Sequence, residues 1–498
     1  MSEINRPKSF TKKRLMESIQ KGVFWSSVKI VMVRSLSLIQ LFILARLLTP
    51  LEFGAFGLAM LVVNFTEAMS YIGFKQAIIQ MKSVQSDTLN TLFVVNILRG
   101  MVLGAVILLC ATPVSQFMGS PESAHLIAAI CVYPIITGFN NPALTMLQRD
   151  LDLKKDTIFH LSGSVPFLVV SVIIAIYSPT AWAIFGGLLA QILSQLVMSY
   201  WLNDFMPSIE FSKVQFKKMF GFGGWLTIAN ILKYFSGNLP LWVITSILGV
   251  ASLGIYQIAG KLSQTIGTEL NKMITTLLFP SFSFLNEDGE ALGKLYLTSQ
   301  KIISSISFLV FGVLFVLSER IVDILLLEIW SPAAPVMAVL ALLCLLQSLG
   351  SQVEIINAAG RTRFTAYIAM LRVIPTACLV VPFVNTWGLL GAVSLIVLIT
   401  ATTWLVSMME ISRLIGLGLG KLLIIYVPQL LAFIIMVITL RLLDRHFPES
   451  LLSLIGLAAI SVMIFSLALY LLDRVLKIGI VNEIKKLSAA EKFKESNA

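Results

Sequence analysis

The sequence predicts an all-α polytopic membrane protein with about fourteen transmembrane helices. We expect two pseudo-symmetric six-helix bundles around a central cavity, followed by two extra C-terminal helices. The 498 residues are 57% hydrophobic and 13% charged, and soluble domains carry roughly twice that charged fraction. The apolar runs are about 18 to 25 residues long, which suits membrane-crossing helices. A helix–turn–helix pattern also recurs after two hundred residues.

The chain is divided into spans by short polar or Gly/Pro-containing joints such as "TPLE", "YSPT", "LGVAS" and "NTWG". The predicted spans begin near Val23, Phe53, Leu89, Ala124, Phe159, Ala181, Phe222, Ser252, Ile302, Pro332, Thr365, Gly388, Leu422 and Leu451. The predicted domains are a basic N-terminus at 1–22, a first bundle at 23–202, a linker at 203–221, a second bundle at 222–411, two helices with their linker at 412–475 and a tail at 476–498.

Basic residues are distributed very unevenly between the alternate loops of this map. One side holds 26 of them, whereas the other holds only Arg441 and Arg445. Because basic loops stay in the cytoplasm, both termini are expected there. The net charge of +11 is then a consequence of topology, and no nucleic-acid partner is expected.

The repeat relates "LARLLTPLEFGAFGLA" at 44–59 to "ITSILGVASLGIYQIA" at 244–259. Matched positions are Trp25 with Trp225, Leu48 with Leu248, Gly54 with Gly254, Phe56 with Tyr256, and Ala59 with Ala259. Repeated helix bundles are typical of transporters, in which the two repeats surround a central binding site. An offset of six helices predicts a parallel repeat.

Polar stripes mark the helices that should line the cavity. Helix 8 carries Gln257, Lys261, Gln264, Thr268, Asn271 and Thr275, and helix 7 carries Asn230, Lys233, Gly237 and Pro240. Spacings of three and four place each set on one helix face. Since polar groups facing lipid are costly, we expect these faces to be wet.

The charges on these helices are mostly basic. Candidate substrate-binding residues are Lys233, Lys261, Lys29, Arg34, Gln257, Gln264, Asn230, Asn271 and Lys272. Glu67 and Glu269 are candidate charge partners, and Pro240 is a candidate point of bending in a gate. A basic cavity suits an anionic substrate, because positive groups stabilise anionic oxygens. For Arg46, Arg320, Glu354 and Glu410 we favour interfacial snorkelling or helix capping, and for Arg99 a structural ion pair remains an alternative.

Two segments carry a family resemblance. "KGVFWSSVKIVMVRSLSLIQLFILARLLTPLEFGAFGLAMLV" and "NNPALTMLQRDLDLKK" resemble bacterial polysaccharide flippases of the colanic-acid exporter type, in the multidrug, oligosaccharidyl-lipid and polysaccharide exporter superfamily. The resemblance implies a flippase in the bacterial inner membrane that moves a polyprenyl-diphosphate-linked oligosaccharide. It also makes a polysaccharide polymerase and other assembly proteins candidate partners.

Other interpretations remain open. A drug or cation antiporter of the same superfamily should have an acidic cavity. A membrane glycosyltransferase or polymerase acting on the same lipid should have acidic residues in a sizeable outward loop, and a scaffold would leave the intramembrane lysines unexplained. The "GLGLGK" at 416–421 lacks the spacing and the Ser or Thr of a nucleotide-binding loop. We therefore expect no cofactor, no metal and no enzymatic activity.

Overall fold

The computed structural model describes residues 12–71, 73–81, 84–150, 152–265, 267, 289–350, 353, 355–356, 361–476 and 478–480. Within these ranges all regular secondary structure is helical, which confirms the predicted fold class. The described residues include ten helices long and apolar enough to cross a membrane. Contacts divide the chain into two compact units, Met1–Gly254 and Ile255–Ala498.

The helices are numbered in chain order. They are α1 Lys12–Leu47, α2 Pro50–Met69, α3 Phe74–Gln80, α4 Ser86–Phe117, α5 Ala124–Ala129, α6 Val132–Gly138, α7 Leu144–Arg149, α8 Leu153–Tyr177, α9 Ala181–Trp201, α10 Lys213–Leu248, α11 250–265, α12 Gly289–Leu325, α13 Ala333–Leu349, α14 Thr362–Ile415, α15 Leu419–Leu423, α16 Val427–Asp444 and α17 Leu451–Leu476.

Helix α1 begins at Lys12, earlier than the Val23 at which the sequence predicted the first span to begin. Its apolar part, Phe24–Leu47, does match the prediction. The additional turns consist mainly of Lys, Arg, Leu, Met, Glu and Gln, which have high helix propensity. These residues therefore extend the helix toward the N-terminus, beyond the apolar segment that hydropathy predicts.

The predicted fourth span, by contrast, is two short helices, α5 and α6. Pro134 lacks an N–H group and its ring crowds the carbonyl one turn earlier, which is that of Ile130. That carbonyl instead accepts a hydrogen bond from the amide of Tyr133 at 2.9 Å, in the tighter i to i+3 pattern. The break between the two helices therefore follows from a single proline.

Glycines bring α4 and α6 into backbone contact. A Cβ atom on Gly100 would lie 2.3 Å from the carbonyl oxygen of Pro134, and one on Gly138 would lie 2.7 Å from that of Asn96. Small residues permit such close approach between membrane helices, where dispersion and packing drive association. A larger side chain at either glycine would separate the two helices.

The charged joint "TPLE" caps two helices. Thr49 is the N-cap of α2, and its side chain accepts a hydrogen bond from the Glu52 amide. The Glu52 carboxylate accepts a hydrogen bond from the Ala181 amide at 2.5 Å, at the first residue of α9. Negative charge is favourable at a helix N-terminus, so the glutamate that interrupts the apolar run links two helices.

Helix α14 contains a break at Gly388, where φ is 59° and ψ is −139°. Only glycine adopts these angles without strain, and the break lies where the sequence predicted one span to end and another to begin. A Cβ atom on Gly391 would lie 2.1 Å from the carbonyl oxygen of Phe383, so the two segments turn back on each other tightly.

Candidate substrate-binding residues

Aromatic contacts fix the orientation of α10 on α2. The Tyr234 hydroxyl donates a hydrogen bond to the Leu61 carbonyl at 3.1 Å and accepts one from the Trp242 indole at 2.9 Å. Phe65 packs edge-on against Tyr234, with ring centroids 5.7 Å apart, and against Trp242 at 6.0 Å. Tyr234 is buried, so its side of α10 faces α2.

The neighbouring face of α10 is open. The Lys233 side chain is exposed, as is Gly237 one turn later, whereas Asn230 is half-buried. A Cβ atom on Gly237 would meet no atom within 4 Å. Pro240 is buried inside the helix. Because it has no N–H group, it leaves the carbonyl of Ser236 without its usual helical partner.

Helix α11 is packed on most of its surface. The Ser263 hydroxyl donates to the carbonyl of Met337 in α13 at 3.2 Å, and Cys344 contacts the Ser263 carbonyl at 3.7 Å. Lys261 is the only exposed residue in 250–265. A lysine exposed to hydrocarbon would be costly, so this exposure favours a watery environment.

The two glutamines lie beside Lys261 on the same face. Gln257 and Gln264 are both half-buried, and the Gln264 side chain is hydrogen-bonded to Tyr256. Five other residues of the predicted set and its stripe lie outside the described residues: Thr268, Glu269, Asn271, Lys272 and Thr275. Their assignment stays a prediction.

Lys29 forms an ion pair inside the first unit. Its ammonium lies 2.6 Å from a carboxylate oxygen of Asp156 in α8, and Asp156 also accepts a 3.5 Å hydrogen bond from Gln148. His160 lies 3.8 Å from the same carboxylate. Asp156 was not predicted as a site residue. Its only signal in the sequence is its position directly after two lysines in the first turn of α8.

Helix α1 turns further polar groups toward α8. The buried Gln40 side chain donates to the hydroxyl of Ser171 at 3.3 Å, and the Thr157 hydroxyl donates to the carbonyl of Trp25 at 3.1 Å. Arg34 is half-buried on the same helix. The polar face of α1 therefore contributes to packing within the first unit.

Glu67 is half-buried in α2, where it interacts electrostatically with Arg99 of α4. The Arg99 side chain also donates to the Ser70 hydroxyl at 2.9 Å. Opposite charges therefore influence each other inside one unit, but none of the ion pairs among the described residues joins Glu67 to Arg99, so the roles of both residues stay predictions.

Two interfacial charges are bound as helix caps or ion pairs. Arg320 binds the carboxylate of Asp444 and the carbonyls of Asp444 and Phe447 at the end of α16, and Glu410 pairs with Arg361 and Arg413. Across the parts of the chain that the structure describes, no group of three His, Cys, Asp or Glu side chains could hold a metal ion.

The fold is similar to that of a solved transporter. The inward closed structure of lipid II flippase MurJ superposes with a TM-score of 0.69 at 14% sequence identity, covering 92% of this chain and 100% of that chain. At this sequence identity the similarity establishes the fold, but it does not identify the substrate of this chain.

Curated relatives are proteins of polysaccharide assembly. The chain is 26% identical over 341 residues to lipopolysaccharide biosynthesis protein WzxC of Escherichia coli, covering 68% of this chain and 69% of the relative. It is 24% identical over 466 residues to succinoglycan biosynthesis transport protein ExoT of Rhizobium meliloti, covering 92% and 94%. The family described as "Polysaccharide biosynthesis protein" matches residues 43–335, more than half of the chain. This multi-pass membrane protein therefore belongs to that family of polysaccharide biosynthesis proteins.

Proposed function

We propose that this protein is a flippase that moves a polyprenyl-diphosphate-linked oligosaccharide from the inner to the outer leaflet of the bacterial inner membrane by alternating access. Its product would serve synthesis of O-antigen, exopolysaccharide or capsule. The family assignment and the relatives named for polysaccharide transport support this class of function.

The observation that carries the proposal is the exposure of two lysines on the polar faces of two helices that the sequence predicts to span the membrane. Lys261 is the only exposed residue of 250–265, and Lys233 is exposed on the open face of α10. An ammonium group in a membrane helix needs water or an anion. A diphosphate supplies anionic oxygens that accept several hydrogen bonds from such groups.

The identity of the side chain also fits transient binding. Lysine is a mobile point charge, whereas arginine forms rigid bidentate pairs with phosphate. A flippase must release its substrate on the far side, so a grip without fixed geometry is an advantage. We therefore assign Lys233 and Lys261 to the diphosphate or to an acidic sugar, with Asn230, Gln257 and Gln264 as polar contacts to the glycan.

The proposed orientation places both termini in the cytoplasm, because 26 basic residues lie on that side of the sequence-based map. Single cysteines at Glu122 and Lys154, both exposed, test it in a variant lacking the native cysteines. Removing these is necessary since Cys378 is exposed. A membrane-impermeant maleimide should label the Glu122 position from outside the cell and spare the Lys154 position. The reverse result would invert the orientation.

We propose no catalytic role for the chain itself, and a polysaccharide polymerase and other assembly proteins as its partners in the membrane. The lipid-linked product would then be consumed by separate enzymes that elongate and transfer the glycan. Incubation of the purified protein with lipid-linked oligosaccharide should release neither phosphate nor sugar.

The decisive experiment measures leaflet movement in proteoliposomes. A fluorescent lipid-linked oligosaccharide is placed in the membrane, and its exposure to an impermeant quencher is followed with and without protein. We expect transport by the natural sequence and little transport when Lys233 and Lys261 are both replaced by alanine. Transport of a lipophilic cation instead of the glycolipid would favour the antiporter interpretation.

A further inference from the structure

A cavity of about 750 Å³ lies within the second unit, and neither Lys233 nor Lys261 lines it. Such a volume is typical of small-molecule sites. The end of α12, the start of α13, Leu390 and the end of α16 line the cavity. Its charged lining residues are Glu319, Asp323, Arg441, Asp444 and Arg445. We refer to it as the mixed-charge cavity.

Only one of these five charges is neutralised by a described residue. Asp444 pairs with Arg320. Among the residues that the structure describes, the other four form no ion pair, and all four are exposed. Asp323 is in addition repelled by Glu319 and Glu449.

The four charges form two pairs with helical spacing. Glu319 and Asp323 are four residues apart on α12, and Arg441 and Arg445 are four residues apart at the end of α16. This spacing places the members of each pair side by side on one helix face. The cavity thus presents one anionic clamp and one cationic clamp on neighbouring helices.

Arg320 holds these two helices together at the same level. It donates to the carbonyls of Asp444 at 2.5 Å, Phe447 at 2.8 Å and Pro448 at 3.1 Å. Because Arg320 lies between Glu319 and Asp323 in sequence, the same turn of α12 carries the anionic clamp and the link to α16. The separation of the two clamps is therefore fixed by a buried side chain.

The residues around the cavity indicate that it lies at the level of the lipid headgroups. The cavity lies at helix ends, and Trp387, which precedes the break before Leu390, is 63% exposed. Tryptophan is enriched at membrane–water interfaces. On α16, Ile438 and Leu442 expose apolar side chains next to Arg441, which offers a surface for acyl chains.

We propose that the mixed-charge cavity binds the phosphoethanolamine headgroup of a phospholipid, with its phosphate at Arg441 and Arg445 and its ammonium at Glu319 and Asp323. Guanidinium groups bind phosphate through paired hydrogen bonds, and a primary ammonium supplies three donors for carboxylates. A metal ion would be repelled by the two arginines. A purely anionic ligand would be repelled by the two carboxylates. A zwitterion satisfies both clamps.

The test is competitive lipid retention by the full-length protein, measured by native mass spectrometry after incubation with equal amounts of phosphatidylethanolamine, phosphatidylcholine and phosphatidylglycerol. Phosphatidylethanolamine should be retained about tenfold better than either competitor, because only it carries both a phosphate and N–H donors. Glu319→Gln with Asp323→Asn should abolish that preference while sparing phosphatidylglycerol. Arg441→Gln with Arg445→Gln should weaken retention of both lipids.

Glu328→Gln and Arg363→Gln are matched controls, since both residues are exposed and neither lines the cavity. Thermal unfolding of every variant establishes that it is folded. Equal retention of the three lipids, or unchanged preference in both double variants, would overturn the proposal. Displacement of the lipid by an equal concentration of soluble glycerophosphoethanolamine would support the zwitterion site but overturn the phospholipid as its ligand.

Discussion

Gly54 and Gly254 occupy equivalent places in a reciprocal contact. A Cβ atom on Gly54 would lie 1.8 Å from the carbonyl oxygen of Val250, and one on Gly254 would lie 2.0 Å from that of Pro50. Each contact becomes the other when its residue numbers are shifted by two hundred. The sequence repeat is thus also a local two-fold symmetry of backbone contact, and both copies keep glycine because no Cβ atom fits.

Replacing either glycine should therefore have the same effect. We predict that Gly54→Ala and Gly254→Ala each destabilise the protein by about 1 to 3 kcal/mol, the usual cost of overpacking. The backbone must shift in both cases, because the obstructing atom is a carbonyl oxygen. Thermal unfolding of the purified protein, followed by tryptophan fluorescence, measures the loss.

Gly456→Ala is the matched control for these two substitutions. Gly456 lies inside α17, and a Cβ atom there would meet nothing within 4 Å. Alanine is favoured over glycine within helices by about 1 kcal/mol, so this variant should be unchanged or more stable. If Gly54→Ala unfolds at the same temperature as Gly456→Ala, the reciprocal contact is not a steric constraint.

The exposed lysines should control transport without controlling stability. We predict that Lys233→Ala and Lys261→Ala each raise the substrate concentration needed for half-maximal flipping by about tenfold, as expected for loss of one charge-assisted hydrogen bond. Lys→Arg should restore transport only in part, because a guanidinium must satisfy five donors. The measurement is the proteoliposome assay, together with surface polysaccharide in a strain lacking the native gene.

Lys421→Ala is a suitable control, because Lys421 is also exposed but lies in the short helix α15, apart from both polar faces. It should leave transport unchanged. Normal transport by the Lys233→Ala, Lys261→Ala double variant would contradict the assignment and direct attention to Arg34 in α1.

Much of the fold could be predicted because hydropathy, glycine and proline act locally. The joint at Gly388 was recognised from "NTWG", and the structure has its non-helical glycine there. The division of the fourth span was missed, although Pro134 is visible in the sequence. A proline in a membrane helix is often tolerated, so the sequence leaves open whether the helix bends or breaks.

Less of the site could be predicted, because periodicity reveals a polar face but not its partner. Lys29 lies on a polar stripe, yet it is paired with Asp156, which is 127 residues away in the chain. Arg320 was expected to cap or snorkel, and it does cap, but its partner segment 444–453 follows four helices later. Such contacts depend on which helices become neighbours.

The ion pair between Lys29 and Asp156 should stabilise the packing of α1 on α8. We predict that Lys29→Met is more destabilising than Asp156→Asn. The Asp156 side chain is only 7% exposed, whereas that of Lys29 is 26% exposed. An orphaned carboxylate therefore stays buried, while an orphaned ammonium can move toward water. Thermal unfolding of both single variants and the double variant measures the coupling, which should exceed about 0.5 kcal/mol.

Reduced transport with unchanged stability in Lys29→Met would contradict the structural role and support the original assignment of Lys29 to substrate binding. Gln148→Leu serves as a comparison, since it removes only the longer hydrogen bond to Asp156. It should cost less than either charge substitution.

Arg320 should stabilise the connection between α16 and α17. Its side chain is nearly buried and binds Asp444, the Ser453 hydroxyl and three carbonyl groups. Arg320→Met keeps the volume of the side chain but removes all of its donors. We predict a loss of about 2 kcal/mol, below the usual cost of breaking a buried pair because the Asp444 side chain is 45% exposed. Hydrogen exchange in residues 444–453 should increase at the same time. Arg363→Met, which removes an exposed arginine that does not line the mixed-charge cavity, should change neither measurement. Equal effects of the two substitutions would show that general charge loss, not the cap, is responsible.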